Sequence, residues 1–398
     1  MNQFMALGGG NEVGASSYYL TLDGVNILLD CGARVYSSLR DRRPIYPAYE
    51  TLTSKVLDGL FELDLIFISH SHYDHIGSLP HVAKQAINAP IYATHTTKEF
   101  TDLQLRTLKL GMSEKHTPKK IRELKETEID SAIDKVIDLS YDKTYPYKNI
   151  SYTFYASGHI SGGAMVYIQS KDMNVLYTGD FSDQDYPLTP SYNLPKNLKV
   201  DVLIMSATKA FGKYKDISYD YNELIYDTHV MLNQKKNIMF KLFNLTKGIE
   251  FIKILDGLME KGDLPKVTIY MNHRLEKIAD AYEDIDFSVF SERVRRHTDN
   301  LIHKQKKPFI YITDDLKCAE VRRILDNKQN QFETINDGPS LHCSYEGLKT
   351  LVYKYRPKKV LLVHTTPRPG GNIIDDLNKY AKDQFEIEVV ENEKLYNL

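Results

Sequence analysis

Residues 70–75 read "HSHYDH", three histidines and an aspartate within six positions of a chain that has 13 histidines among 398 residues. Imidazole nitrogen and carboxylate oxygen are ligands that suit zinc, and a turn after a buried strand can point alternate side chains into one cavity. The preceding run "LDLIFIS" has the apolar character of such a strand. On this spacing His70 and His72 face one way and hold one metal ion, while Asp74 and His75 reach a second one close by. Six positions do not complete two coordination shells. Three further candidates each close a strand-like run: His159 in "YASGHISGGAM", among Gly158, Gly162 and Gly163; Asp180 in "VLYTGDF"; and His364 in "VLLVHTT".

The elements that must position these groups follow from pattern. "SSYYLTL", "VNILLD", "LIFIS", "SYTFYAS", "AMVYI", "NVLYTGD" and "DVLIM" read as strands, and "SLPHVAKQA" and "TKEFTDLQLRTLKL" have helical spacing. Residues 106–128, rich in Lys and Glu, read as an exposed helix and its connection. From about residue 207 the texture changes. Amphipathic helices ("YNELIYDTHVMLNQKKN", "KGIEFIKILDGLMEKGD", "HRLEKIADAYEDI") alternate with buried strands ("IMFKLF", "KVTIYM", "FIYITDD"), as in a parallel-sheet domain. The expected organisation is a β-rich domain over 1–206, a smaller α/β insertion over 207–335, and a return to the first domain over 336–398.

Composition narrows the function classes. A net charge of −2 excludes a polyanion trap acting through the whole molecule, so any nucleic-acid surface must be local. The run "ERVRRHTDNLIHKQKK", residues 292–307, is one candidate, with a solvated helix face as the alternative. Cys31, Cys318 and Cys343 are far apart and form no C-x-x-C pair, which argues against a sulfur-bound zinc and for a reducing compartment. "MNQFMALGGGNEVG" has no basic region followed by an apolar stretch, and no run of about 18 apolar residues occurs. A cytoplasmic protein with no membrane partner is expected.

The chain resembles the metallo-β-lactamase fold, and more narrowly its β-CASP branch of nucleases. The resemblance rests on "LGGGNEVGASSYYLTLDGVNILLDCG", "HSHYDHIGSLP", "SGHISGGAM" and "YTGDFS", which stand in the family's order. It implies an αββα sandwich, α/β (α+β) in class, with a β-CASP domain inserted late in the chain and a cleft between the two. It also implies that His70, His72 and His159 hold one metal ion, that Asp74, His75 and His364 hold the other, and that Asp180 bridges both. The cofactors implied are two zinc ions, at ligands that also accept manganese or iron. Asp74 would also orient the attacking hydroxide, and His342, in "SLHCSYEGL", is the family's candidate general acid.

This chain departs from the family in its inserted region and around it. Ser206 stands where an acidic residue is usual, Ser344 where another follows His342, and "VHTT" replaces V-H-G-E. Ser206 and Lys247, the latter near the place of an arginine in "KLFNLTKG", are the substrate-binding candidates. Asp314 and Asp315 occupy a turn that is usually glycine-rich, where they would repel phosphate. The activity expected is metal-dependent hydrolysis of RNA phosphodiester bonds, leaving a 5'-phosphate, with RNA as partner. Two alternatives stand beside it: a hydrolase of a small phosphodiester or ester, and a non-catalytic binding subunit.

Overall fold

The computed structural model describes residues 2–34, 43–111, 123–212, 217–242, 246–284, 290–296, 308–314, 319–326, 332–335, 338, 340–380 and 385–398. It divides into two compact units, one of Met1–Asp185, Ser191–Tyr214 and His342–Leu398, the other of Tyr186–Pro190 and Lys215–Leu341.

Two seven-stranded sheets build the first unit. One sheet runs in chain order through β1 (Gln3–Gly8), β2 (Ser17–Leu22), β3 (Val25–Leu29), β4 (Leu65–Phe67), β5 (Ile91–Ala93) and β6 (Val136–Asp138), with β21 (Leu395–Asn397) beside β1. The other begins with the antiparallel β7 (Thr144–Tyr147), β8 (Ile150–Ala156), β9 (Ala164–Gln169) and β10 (Asn174–Tyr177). It continues in parallel through β11 (Val202–Ser206), β18 (Lys359–Val363) and β20 (Glu386–Val389).

Period-two alternation decides which layer each side chain enters. In β1, Phe4 and Ala6 face the other sheet while Met5 and Leu7 face the helices outside. In β11, Val202 and Ile204 point inward, and Leu203 and Met205 pack outward with the helices Tyr345–Tyr355 and Ile373–Tyr380. Strands buried on both faces read as continuous apolar runs, which is why "VLIM" and "VLLV" carry no visible alternation. Phe4, Tyr18, Phe67, Phe154 and Tyr177 fill the inter-sheet layer, each at most 1% exposed. Each such side chain stabilises the sandwich by about 1.5–3 kcal/mol. Helices outside both sheets complete an αββα sandwich.

The second unit holds a five-stranded, all-parallel sheet in the order β15 (Val294–Arg296), β14 (Thr268–Met271), β16 (Phe309–Thr313), β13 (Asn237–Lys241), β17 (Phe332–Ile335). The helices Ile217–Asn233, Lys247–Lys261, His273–Asp284 and Ala319–Asp326 alternate with its strands. The βα texture therefore does produce a parallel sheet. Two charge expectations change here. Arg293, the start of the basic run, is ion-paired with Asp256 at 3.4 Å and with Glu260, so its charge is already met; residues 297–307 lie outside the described residues. Asp314 pairs with Arg274 at 2.9 Å and accepts from Asn272 Nδ2, so it is not the free repelling charge expected; Asp315 lies outside the described residues.

Candidate metal centre

β4 delivers "HSHYDH" to the end of the first sheet, where His72 opens the single helical turn Tyr73–Ile76. Three backbone bonds pin the turn: Ser16 N donates to Asp74 O, Cys31 N to His75 O, and Ser78 N to Cys31 O, each at 2.8 Å. Gly32 sits against it so closely that a Cβ there would lie 1.8 Å from Asp74 O. The glycine of "LDCG" is thus required by close approach of two backbones. His159 and Asp180 follow β8 and β10, and His364 follows β18. His364 and Asp30 both adopt left-handed backbone, φ 52° and 62°, a strain of about 1–3 kcal/mol per residue that is typical where a site over-determines the chain.

Ligand-type atoms converge in two groups, His70, His72, His159 and Asp180 in one, Asp74, His75 and His364 in the other, all within 4.8 Å inside each group. His72 Nδ1 lies 3.2 Å from His70 Nε2 and 3.0 Å from His159 Nε2. Asp180 Oδ2 joins the groups: it is 3.6 Å from Nε2 of His75 and of His159, 3.8 Å from His364 Nε2 and 3.9 Å from His70 Nε2. Asp74 Oδ2 is 3.6 Å from His364 Nε2. All seven residues expected as ligands therefore meet in one place.

Side chains behind the cluster set which nitrogen His70, His75 and His364 present. Asp30 Oδ2 accepts from His75 Nδ1 at 2.7 Å, from Ser69 Oγ at 2.7 Å and from Tyr177 OH at 2.6 Å. Ser69 Oγ in turn lies 3.0 Å from His70 Nδ1. Nδ1 of both rings is thereby engaged, which leaves Nε2 to face the cluster. Ser16 Oγ does the same at His364 Nδ1, 2.8 Å away. The sequence signal was available, because "NILLD" ends a strand in an aspartate just as "VLYTGD" does.

Electrostatics agree with a cation site. Burial alone would push the Asp180 carboxyl up, but His364, His75, His342 and His159 around it hold it well below the usual range. Burial and neighbouring imidazoles pull His70 and His72 well down, keeping their lone pairs free. Burial also pulls at His75, yet Asp180 and Asp30 outweigh it and raise it to about 9. Imidazole nitrogens of His70 and His159 packed 3.2 and 3.0 Å from His72 Nδ1, beside a carboxylate, form a donor set that fits a divalent metal ion.

The remaining candidates fall differently. Ser206 does not stand as a free substrate contact: its Oγ donates to Asp180 Oδ1 at 2.6 Å, at the end of β11. His342 Nδ1 is 3.6 Å from Asp180 Oδ2, and His342 keeps 26% of its side chain exposed. Lys247 opens the helix Lys247–Lys261 of the second unit, directly after the buried Thr246.

The profile of the metallo-beta-lactamase superfamily domain matches residues 19–194. A crystal structure of a protein of unknown function from Enterococcus faecalis superposes with a TM-score of 0.62 over 100% of both chains at 14% identity, a likeness of fold. The chain belongs to the metallo-β-lactamase superfamily. Within it, the chain is a member of the β-CASP family. Endoribonuclease YSH1 of Gibberella zeae is 30% identical over 281 residues, 69% of this chain and 32% of the relative. Endoribonuclease ysh1 of Schizosaccharomyces pombe is 25% identical over 371 residues, 89% of this chain and 44% of the relative. The chain thus spans less than half the length of these curated relatives. Among the described residues no helix is long and apolar enough to cross a membrane.

Proposed function

We propose that this protein is a metal-dependent ribonuclease that hydrolyses RNA phosphodiester bonds and leaves a 5'-phosphate. The observation that carries the reading is Asp180 Oδ2, which faces both ligand groups at 3.6–3.9 Å, in a chain whose curated relatives include endoribonucleases. His70, His72 and His159 would hold one zinc ion, Asp74, His75 and His364 the second, and Asp180 both; manganese or iron would satisfy the same donors. Bound there, such a pair of ions makes water a nucleophile at neutral pH and neutralises charge growing on a phosphoryl oxygen.

The protein's own groups supply the rest. Asp74, at 20% the most exposed of the seven side chains, orients the attacking water and accepts its proton. His342, its imidazole pulled down to about 3 by burial, stands 3.6 Å from Asp180 as the candidate to pass a proton to the departing oxygen. Ser206 holds Asp180 Oδ1 so that Oδ2 alone turns to the imidazoles. Lys247 is the proposed phosphate contact of the second unit. The proposed domain organisation is a first domain of residues 1–206 and 336–398 with a smaller α/β domain inserted over 207–335; the two compact units support it in outline. The buried free thiols Cys31 and Cys343 support a reducing compartment, and with it a cytoplasmic location.

A second reading is hydrolysis of a small phosphodiester or ester, since one cation of the basic run, Arg293, is already ion-paired with Asp256 and Glu260. A non-catalytic role is disfavoured by the complete ligand set. The test is cleavage of end-labelled single-stranded RNA beside single-stranded DNA by protein loaded with zinc or manganese. Cleavage of RNA that stops with a chelator and in Asp74→Asn is expected. No cleavage of either polymer by protein carrying two metal equivalents would move the assignment to the small-substrate hydrolase.

A further inference from the structure

The family's carboxylate near His342 is replaced by Ser344, which leaves open what fixes this imidazole. Ser344 caps the helix Tyr345–Tyr355, its Oγ accepting from Gly347 N at 2.9 Å. With that lone pair engaged, the hydroxyl proton goes to Asp183 Oδ2 at 2.5 Å, and Ser344 N donates to Asp183 Oδ1 at 2.8 Å. One residue earlier, Cys343 N donates to Phe181 O at 2.6 Å. The backbone on the C-terminal side of His342 is therefore stitched to the loop Asp180–Asp183, the loop that carries the shared carboxylate. Gly347 makes the approach feasible: a Cβ there would lie 2.4 Å from Asp183 Oδ2 and 2.6 Å from Cys343 Sγ. A carboxylate at a helix N-terminus with two directed donors is a strong anchor.

We propose that Asp183 is a positioning residue for His342, tying the His342 backbone to the Asp180 loop in place of an acid on the histidine's own segment. The inference rests on the reading of His342 as general acid. It is tested on metal-loaded protein with Asp183→Ala, Gly347→Ala, His342→Ala and the double variant Asp183→Ala/His342→Ala. Loss of positioning lowers kcat for RNA cleavage by about 10- to 100-fold with KM and metal content unchanged, a part of what a general acid contributes. Gly347→Ala, which displaces the same carboxylate, gives the same loss. The double variant is no slower than His342→Ala alone; an extra, multiplicative loss would mean that Asp183 acts elsewhere and would overturn the proposal.

Hydrogen exchange of the 341–347 segment supplies the readout that needs no activity. The Cys343 and Ser344 amides exchange faster in Asp183→Ala, while the strands β11 and β18 keep their protection. Unchanged exchange at those amides overturns the clamp. If His342→Ala cleaves at the wild-type rate, the general-acid reading fails, and the exchange result still decides whether the clamp exists.

Discussion

His70, His72 and His159 meet across 3.0–3.2 Å and are at most 7% exposed, whereas Asp74, in the neighbouring group, keeps 20% of its side chain in solvent. The first group is shut in and made of histidine around one carboxylate. The second is open on one side and braced from behind by Asp30 and Ser16. On the proposed reading the contrast separates two jobs within one cluster: the closed half would hold an ion, and the open half would leave room for water and a substrate oxygen. The one atom belonging to both is Asp180 Oδ2.

Substitutions can break this division or sharpen it. Removing the shared carboxylate has the largest effect: Asp180→Ala is expected to lower turnover by about 1,000-fold or more, with metal content by atomic spectrometry below that of the intact protein. Two tightly held equivalents in that variant would contradict a shared ligand. Asp74→Asn comes next, with a loss of about 100-fold or more in kcat, the ion of the closed half retained, and a Tm within about 2 °C of wild type because the side chain is partly in solvent. Retained turnover would remove Asp74 from the mechanism. Ser16→Ala is expected to weaken one of two metal-binding steps about 10- to 100-fold in calorimetric titration, leaving the other unchanged. Equal weakening of both steps would show that the halves are not separately supported. Ser206→Ala is the smallest: Asp180 Oδ1 loses its donor, at about 1–3 kcal/mol of stability, while kcat falls less than about tenfold. A thermal melt and a single rate constant check it.

Residue type and spacing made the convergence of these seven residues legible. "HSHYDH" after an apolar run, and His159, Asp180 and His364 at strand ends, needed only the rule that a buried strand ends in a fixed direction. Asp30, Ser16 and Ser69 were harder because a lone serine or aspartate has many structural uses, and only the distances to His75, His364 and His70 give these three a role. The partner of Ser206 was hidden for a related reason. Its hydroxyl replaces a carboxylate in the sequence, but its partner 26 residues away could not be seen without the sheet. The βα alternation of the second unit was plain, since its strands are short apolar runs between amphipathic helices. Its charges were not, because whether Arg293 or Asp314 is free depends on ion partners that no local pattern reveals.

β18 lies in the middle of its sheet, paired with β11 on one side and β20 on the other, and Ser16 meets His364 across 348 residues of chain. While the protein is being synthesised, β11 is therefore made long before its neighbour exists, and its buried, apolar edge waits unpaired through translation of the whole insertion. The metal cluster cannot close until that strand arrives. Folding of the first unit is therefore expected to lag its local helices, and the nascent chain carries its unpaired edge, a site of misassembly, throughout that interval.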